Sequence, residues 1–168
     1  MLKTLAQTVS GLKDAFFAAM QNGYAKGAVE KTTIQELPCS KVITYRHGIY
    51  VVRDVYQVTT NSDASFGTTV ISVEDNPLWM MQYQGHYRKG DIPFLKRALM
   101  KAYAENRFVG GRGPESYAED KLAYRNNLGS ESDNFTHFRG REEIWEVDTA
   151  KCVGWHEYQG MLLGLSPA

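Results

Sequence analysis

A chain of 168 residues fits one domain, or two closely packed halves, and is long enough for a sizeable core. Lys+Arg and Asp+Glu balance at 19 each, so no net charge draws it to nucleic acid or to a membrane surface. Cys39 and Cys152 are too few for a disulfide scaffold, and no window is apolar enough for a signal-peptide core or a membrane span, which predicts a cytoplasmic protein.

The stretch from Thr4 to Gly23 sets Leu5, Val9, Leu12, Phe16 and Met20 at steps of three and four. That spacing is one apolar face of an amphipathic helix, with Asn22-Gly23 closing it and glycine expected in a left-handed C-cap. Residues 42–58 hold two β-branched and aromatic runs around His47-Gly48 and read as a hairpin. After a loop at Asn61–Ser65, residues 68–74 and 78–84 make a second hairpin across Asp75-Asn76-Pro77. Asp91 before Ile92-Pro93 opens a second helix, whose apolar face carries Leu95, Leu99, Ala102 and Tyr103 and which frays near Asn106. A glycine-rich loop, Val109–Pro114, leads to a short strand around Leu122–Arg125 and a last hairpin over roughly 141–148 and 153–159.

Tyr83-Gln84-Gly85 recurs as Tyr158-Gln159-Gly160. Tyr45-Arg46 recurs as Tyr124-Arg125, Asp54-Val55-Tyr56 as Asp133-Asn134-Phe135, and Phe66-Gly67 as Phe138-Arg139-Gly140, all in the same order. An internal repeat, with halves near 1–88 and 89–168, follows. The expected fold is α+β: a duplicated helix-plus-antiparallel-strands unit with pseudo-twofold symmetry, in which two main helices cover one curved sheet or two packed sheets. Gly85 and Gly160 would then follow strand-final tyrosines, in turns.

The stretches Phe16–Gly27, Phe66–Gly85, Phe108–Pro114 and Phe138–Gly160 resemble an uncharacterised bacterial and archaeal family, a domain of unknown function. That family occurs alone or behind helix-turn-helix regulator domains of the XRE type. The resemblance implies no catalytic residues. It implies a domain that senses a small molecule or mediates dimerisation, here with no DNA-binding module ahead of the first helix.

No motif specifies a reaction. The histidines (His47, His86, His137, His156) form no HxH or HExxH arrangement, so neither a metal nor another cofactor is expected. The loop Gly110–Pro114 lacks the Lys-Ser/Thr ending of a phosphate-binding loop, which leaves Arg112 and Arg107 as a candidate anion site. Strand alternation puts Trp79, Met81 and Tyr83 on one face, and separates His156 and Tyr158 from Trp155 and Glu157. Core packing is the expected role of these aromatics. The functional alternative is a ligand pocket between the halves or at a dimer interface, lined by Trp79, Met81, Tyr83, Glu142, Trp155, His156 and Tyr158. Glu142, Ile144, Glu146 and Asp148 share a strand face that reads as solvent-exposed, although Glu142 with His156 and Tyr158 is the combination an enzyme would use.

Charge is also segregated along the chain. Basic residues gather between His86 and Arg112, and acidic ones between Ser130 and Asp148. These segments read as solvated faces, or as an anion patch or complementary faces of a homo-oligomer.

Overall fold

The structure, a computed structural model, describes residues 5–26, 29–130 and 134–163. Helix α1 (Leu5–Asn22) buries Leu12 and Phe16 of the expected face and half-buries Val9 and Met20, with Phe17 buried beside them; the side chain of Leu5 lies outside the described part. Gly23 does not take the expected left-handed conformation. The chain instead tightens into a 3-10 turn over Tyr24–Lys26, whose Lys26 N–H donates to the Gly23 carbonyl.

The first meander is β1 (Ser40–His47), β2 (Tyr50–Val58), β3 (Ala64–Val73) and β4 (Asn76–Tyr87). Helix α2 (Ile92–Ala104) starts with Pro93 in its first turn, yet Asp91 gives it no side-chain cap. The Asp91 carboxylate accepts from Arg88 instead. The second meander is β5 (Ser116–Glu119), β6 (Leu122–Leu128), β7 (His137–Glu146) and β8 (Lys151–Leu162). Strand β5 is too short and too polar for its alternation to be read from sequence.

All strands join in one eight-stranded antiparallel sheet, in the order β1-β2-β3-β4-β8-β7-β6-β5. The two meanders meet along β4 and β8, where Tyr83 lies opposite Tyr158 and Gln82 opposite Gln159. The YQG segments are therefore neighbours in space. Their strands continue to Tyr87 and Leu162, so neither glycine sits in a turn. A Cβ on Gly160 would strike the Phe138 ring, and one on Gly85 would come within 2.7 Å of His156 Cδ2. These glycines permit close approach across the sheet.

Both helices cover one face, α1 over β1–β3 and α2 against α1 and β6. Phe16 packs edge-on to Trp79, Tyr103, Phe108 and Phe135, while Trp79 stacks on Phe135 and Phe138 at 5.0 and 5.7 Å. The strand face carrying Glu142 and Ile144 is the buried one, both residues being 0% exposed, which overturns its reading as a solvent face. The basic segment pairs largely with the acidic side chains that follow it: Arg88 with Glu146, Arg97 with Glu119, Arg107 with Glu115 and Arg112 with Glu142. Glu131 and Asp133, the residue that opens one of the repeat matches, lie outside the described residues.

Candidate functional site

A cleft of about 690 Å³ opens between β2–β4, the inner face of α2 and the Tyr24–Lys26 turn. Close-packed interiors leave few voids larger than one water, so a space of this size is not a packing imperfection. Its deep wall is apolar where Met81, Leu95 and Leu99 meet and polar where Asp54, Thr69, Tyr83, Arg112 and His156 converge. Its mouth carries Lys31, Thr33, Cys39, Thr59 and Asp63, all exposed.

Asp54 enters the cleft from β2, on the inward face it shares with Val52 and Tyr56. The Thr69 and Tyr83 hydroxyls each donate to its Oδ1 at 2.9 Å. Burial pushes the Asp54 carboxyl above its usual range, against the pull of those two hydrogen bonds. Tyr83 reaches Asp54 by lying flat over Gly67, where any Cβ would meet the phenol ring.

On the other side of the seam Tyr158 lies over Gly140 and donates to Asn126 Oδ1. The Asn126 amide in turn donates to the Val109 and Gly113 carbonyls at 3.0 and 2.9 Å, clamping the glycine-rich loop. That loop turns through Gly110 and Gly111 at φ of 63° and 70°, a region that costs a side chain but not glycine. The turn drives Arg112 inward. Its Nε donates to Glu142 Oε1 at 2.7 Å and its Nη2 to the same oxygen, while Tyr124 donates to Oε2. Burial alone would raise the Glu142 carboxyl; the Arg112 guanidinium and the Tyr124 hydroxyl outweigh it and hold the carboxyl below its usual range. The guanidinium also sits 5.3 Å from the centre of the Tyr83 ring.

His156 lies between Tyr83 and Tyr87, with ring centres at 5.6 and 4.4 Å. Its Nε2 is 3.0 Å from Ser65 Oγ, and its Nδ1 is 3.8 Å from Glu142 Oε1, too far for a hydrogen bond. Burial, then the nearby Arg112 charge, pushes His156 down to about 3, so the imidazole is neutral at ordinary pH. The Tyr87 hydroxyl, beside the Arg112–Glu142 pair, and His156 Nδ1 are buried with no hydrogen-bond partner of ordinary geometry among the described residues.

A pH dependence follows. An unfolded histidine binds a proton near pH 6.5, whereas His156 in the folded chain resists one until about pH 3. Its contribution to stability is thus complete above the unfolded value and is lost as pH falls between the two. Urea titrations of the wild type and His156→Phe from neutral pH to the acid limit should show the shallower acid decline in the variant, where Glu142 still titrates. Parallel declines would mean that His156 is protonated in the fold.

Met81, Tyr83, His156 and Arg112 thus line one cleft, and Glu142 stands behind Arg112 rather than in the wall. Trp79 and Tyr158 are core side chains outside it, at 0% and 3% exposure. Trp155 lies on the opposite sheet face, edge-on to His86 and 4.4 Å beneath Arg141. Arg107 is at the surface with Glu115 and Glu105, so it forms no joint anion site with Arg112. Asp54, Thr69, Tyr87 and Lys31 join the cleft without having been candidates for a pocket, and Lys96 enters it from the basic segment read as an alternative anion patch. One signal for Asp54 was present: an acidic residue standing in register with Val52 and Tyr56 on an otherwise apolar strand face.

Among the described residues no group of three or more His, Cys, Asp or Glu side chains could hold a metal ion, and no helix is long and apolar enough to cross a membrane. Residues 54–162 match the sequence model of a family described as a domain of unknown function (DUF5680). No curated protein and no solved structure matches the chain.

Proposed function

The chain belongs to the DUF5680 family, whose description assigns no activity, and from the cleft itself we propose that it is a small-molecule-binding module. The observation that carries this reading is the space of about 690 Å³, apolar on one wall and edged by buried polar side chains. Binding there serves a regulatory rather than a chemical role. Of the Glu142, His156 and Tyr158 combination only His156 reaches the cleft, Glu142 being tied to Arg112 as its counter-ion.

A duplicated origin accounts for a space beside the Tyr83–Asp54 contact and a filled one beside the Tyr158–Asn126 contact. The YQG segments pair about the Tyr83–Tyr158 contact, and each tyrosine covers a glycine and donates to a polar side chain, Asp54 or Asn126. Register shifts follow Ile71 in β3 and Ile144 in β7, at the same spacing from Gly67 and Gly140. In the second half the glycine-rich loop fills the space beside this node. The first half leaves it to a ligand. The Tyr45 and Tyr124 matches belong to non-equivalent strands, β1 and β6, and do not contribute.

The test is a fluorescence titration with N-phenyl-1-naphthylamine, an uncharged apolar probe. Saturable binding at one site is expected, weakened about tenfold or more by Val58→Trp, whose indole projects into the cleft wall and removes about 1.4 kcal/mol of binding at minimum. Equal affinity in that variant would place the probe elsewhere, and no saturable binding would end the reading.

A further inference from the structure

The charge lining the cleft is not balanced. Lys31, Lys41, Lys89 and Lys96 line it and form no ion pair among the described residues, against the carboxylates of Asp54 and Asp63. The remaining cation of the lining, Arg112, is already neutralised by Glu142. The nearby arginines Arg88, Arg97 and Arg107 all have carboxylate partners, so the lysines stand out as cations the fold leaves unanswered.

Two of them are held over one aromatic corner. Lys96 Nζ lies 4.6 Å from the centre of the Tyr24 ring, and Lys31 Nζ lies 5.7 Å from the same ring and 5.6 Å from that of Tyr56. Two consequences follow. The aromatic faces that could receive a cationic ligand are taken by the protein's own ammonium groups. The two ammonium groups also repel each other, and burial and Lys31 together lower the proton affinity of Lys96. An anion between them would relieve that repulsion.

We propose that the cleft takes an amphipathic anion: an apolar body against Met20, Val58, Met81 and Leu99, and one anionic oxygen group, carboxylate or phosphate, between Lys31 and Lys96. This rests on the small-molecule reading above and names its ligand class. Lysine serves here as a flexible point charge, which fits a headgroup at a partly exposed mouth better than a buried fork would.

Displacement of N-phenyl-1-naphthylamine from the full chain tests it, with decanoate, decyl phosphate and decan-1-ol as competitors at neutral pH. One of the two anions is expected to compete at least about tenfold better than the alcohol, since hydrogen bonds from two charged groups together carry that much. The better anion identifies the headgroup. In Lys31→Gln/Lys96→Gln the preference should collapse while the alcohol competes as before, and Lys96→Arg should restore it. Lys31→Gln alone, at an exposed position, guards against loss of folding in the double variant and should lose part of the preference. Equal competition by all three compounds in the wild type would overturn the anion assignment and leave the cleft a neutral binding site. A preference unchanged in both glutamine variants would overturn it too. Failure of the uncharged probe itself to bind would instead remove the underlying reading.

Discussion

Replacing Arg112 by Met is expected to lower the unfolding free energy by about 3–5 kcal/mol, the usual consequence of stripping one partner from a buried ion pair. Glu142 is 0% exposed and receives two N–H bonds from Arg112 on Oε1. Without them the carboxylate has only the Tyr124 hydroxyl and no route to water. It must then take up a proton or open the loop, and either response appears as a lower urea midpoint. The double variant Arg112→Met/Glu142→Met should be more stable than Arg112→Met alone, because it removes the stranded charge together with its partner. A single variant as stable as the wild type would show that the loop can move aside and admit water to Glu142, and that the guanidinium does not hold the cleft wall.

Trp79→Ala is expected to cost about 3–5 kcal/mol, the range for deleting a buried aromatic side chain. The indole is wholly buried, stacks on Phe135 and Phe138, meets Phe16 edge-on and donates from Nε1 to the Phe135 carbonyl at 2.9 Å. Truncation leaves both a cavity and an unanswered carbonyl. The same position separates core from ligand roles. Trp79→Phe should keep the fold at a smaller cost, and it should leave the affinity for N-phenyl-1-naphthylamine unchanged because Trp79 does not line the cleft. A large loss of probe affinity in Trp79→Phe, with the urea midpoint little changed, would assign the indole to binding after all.

The helices and most strands were legible because their signals are local. Steps of three and four residues give α1 and α2 their apolar faces, and alternation puts Trp79, Met81 and Tyr83 on one side of β4 and His156 with Tyr158 on one side of β8. Alternation does not say which face is covered. Glu142 shows this: Glu146 and Asp148 on the same alternation made its face read as solvent-exposed, whereas the residue is sealed by an arginine 30 positions away. Strand β5 escaped notice because four residues carry too little pattern.

The chain by itself determined an α+β protein with balanced charge, two amphipathic helices and hairpins rich in tyrosine, since these depend on composition and near-neighbour spacing. Tertiary structure alone decided the rest. Pairing of β4 with β8 merged two meanders into one sheet, and the inward turn at Gly110–Gly111 drove Arg112 onto Glu142. The packing of α2 against α1 and β6 left a cleft between it and β2–β4, with unpaired lysines at its mouth. A cavity is a property of what does not pack, and its walls come from segments far apart in the chain, so no local periodicity encodes it.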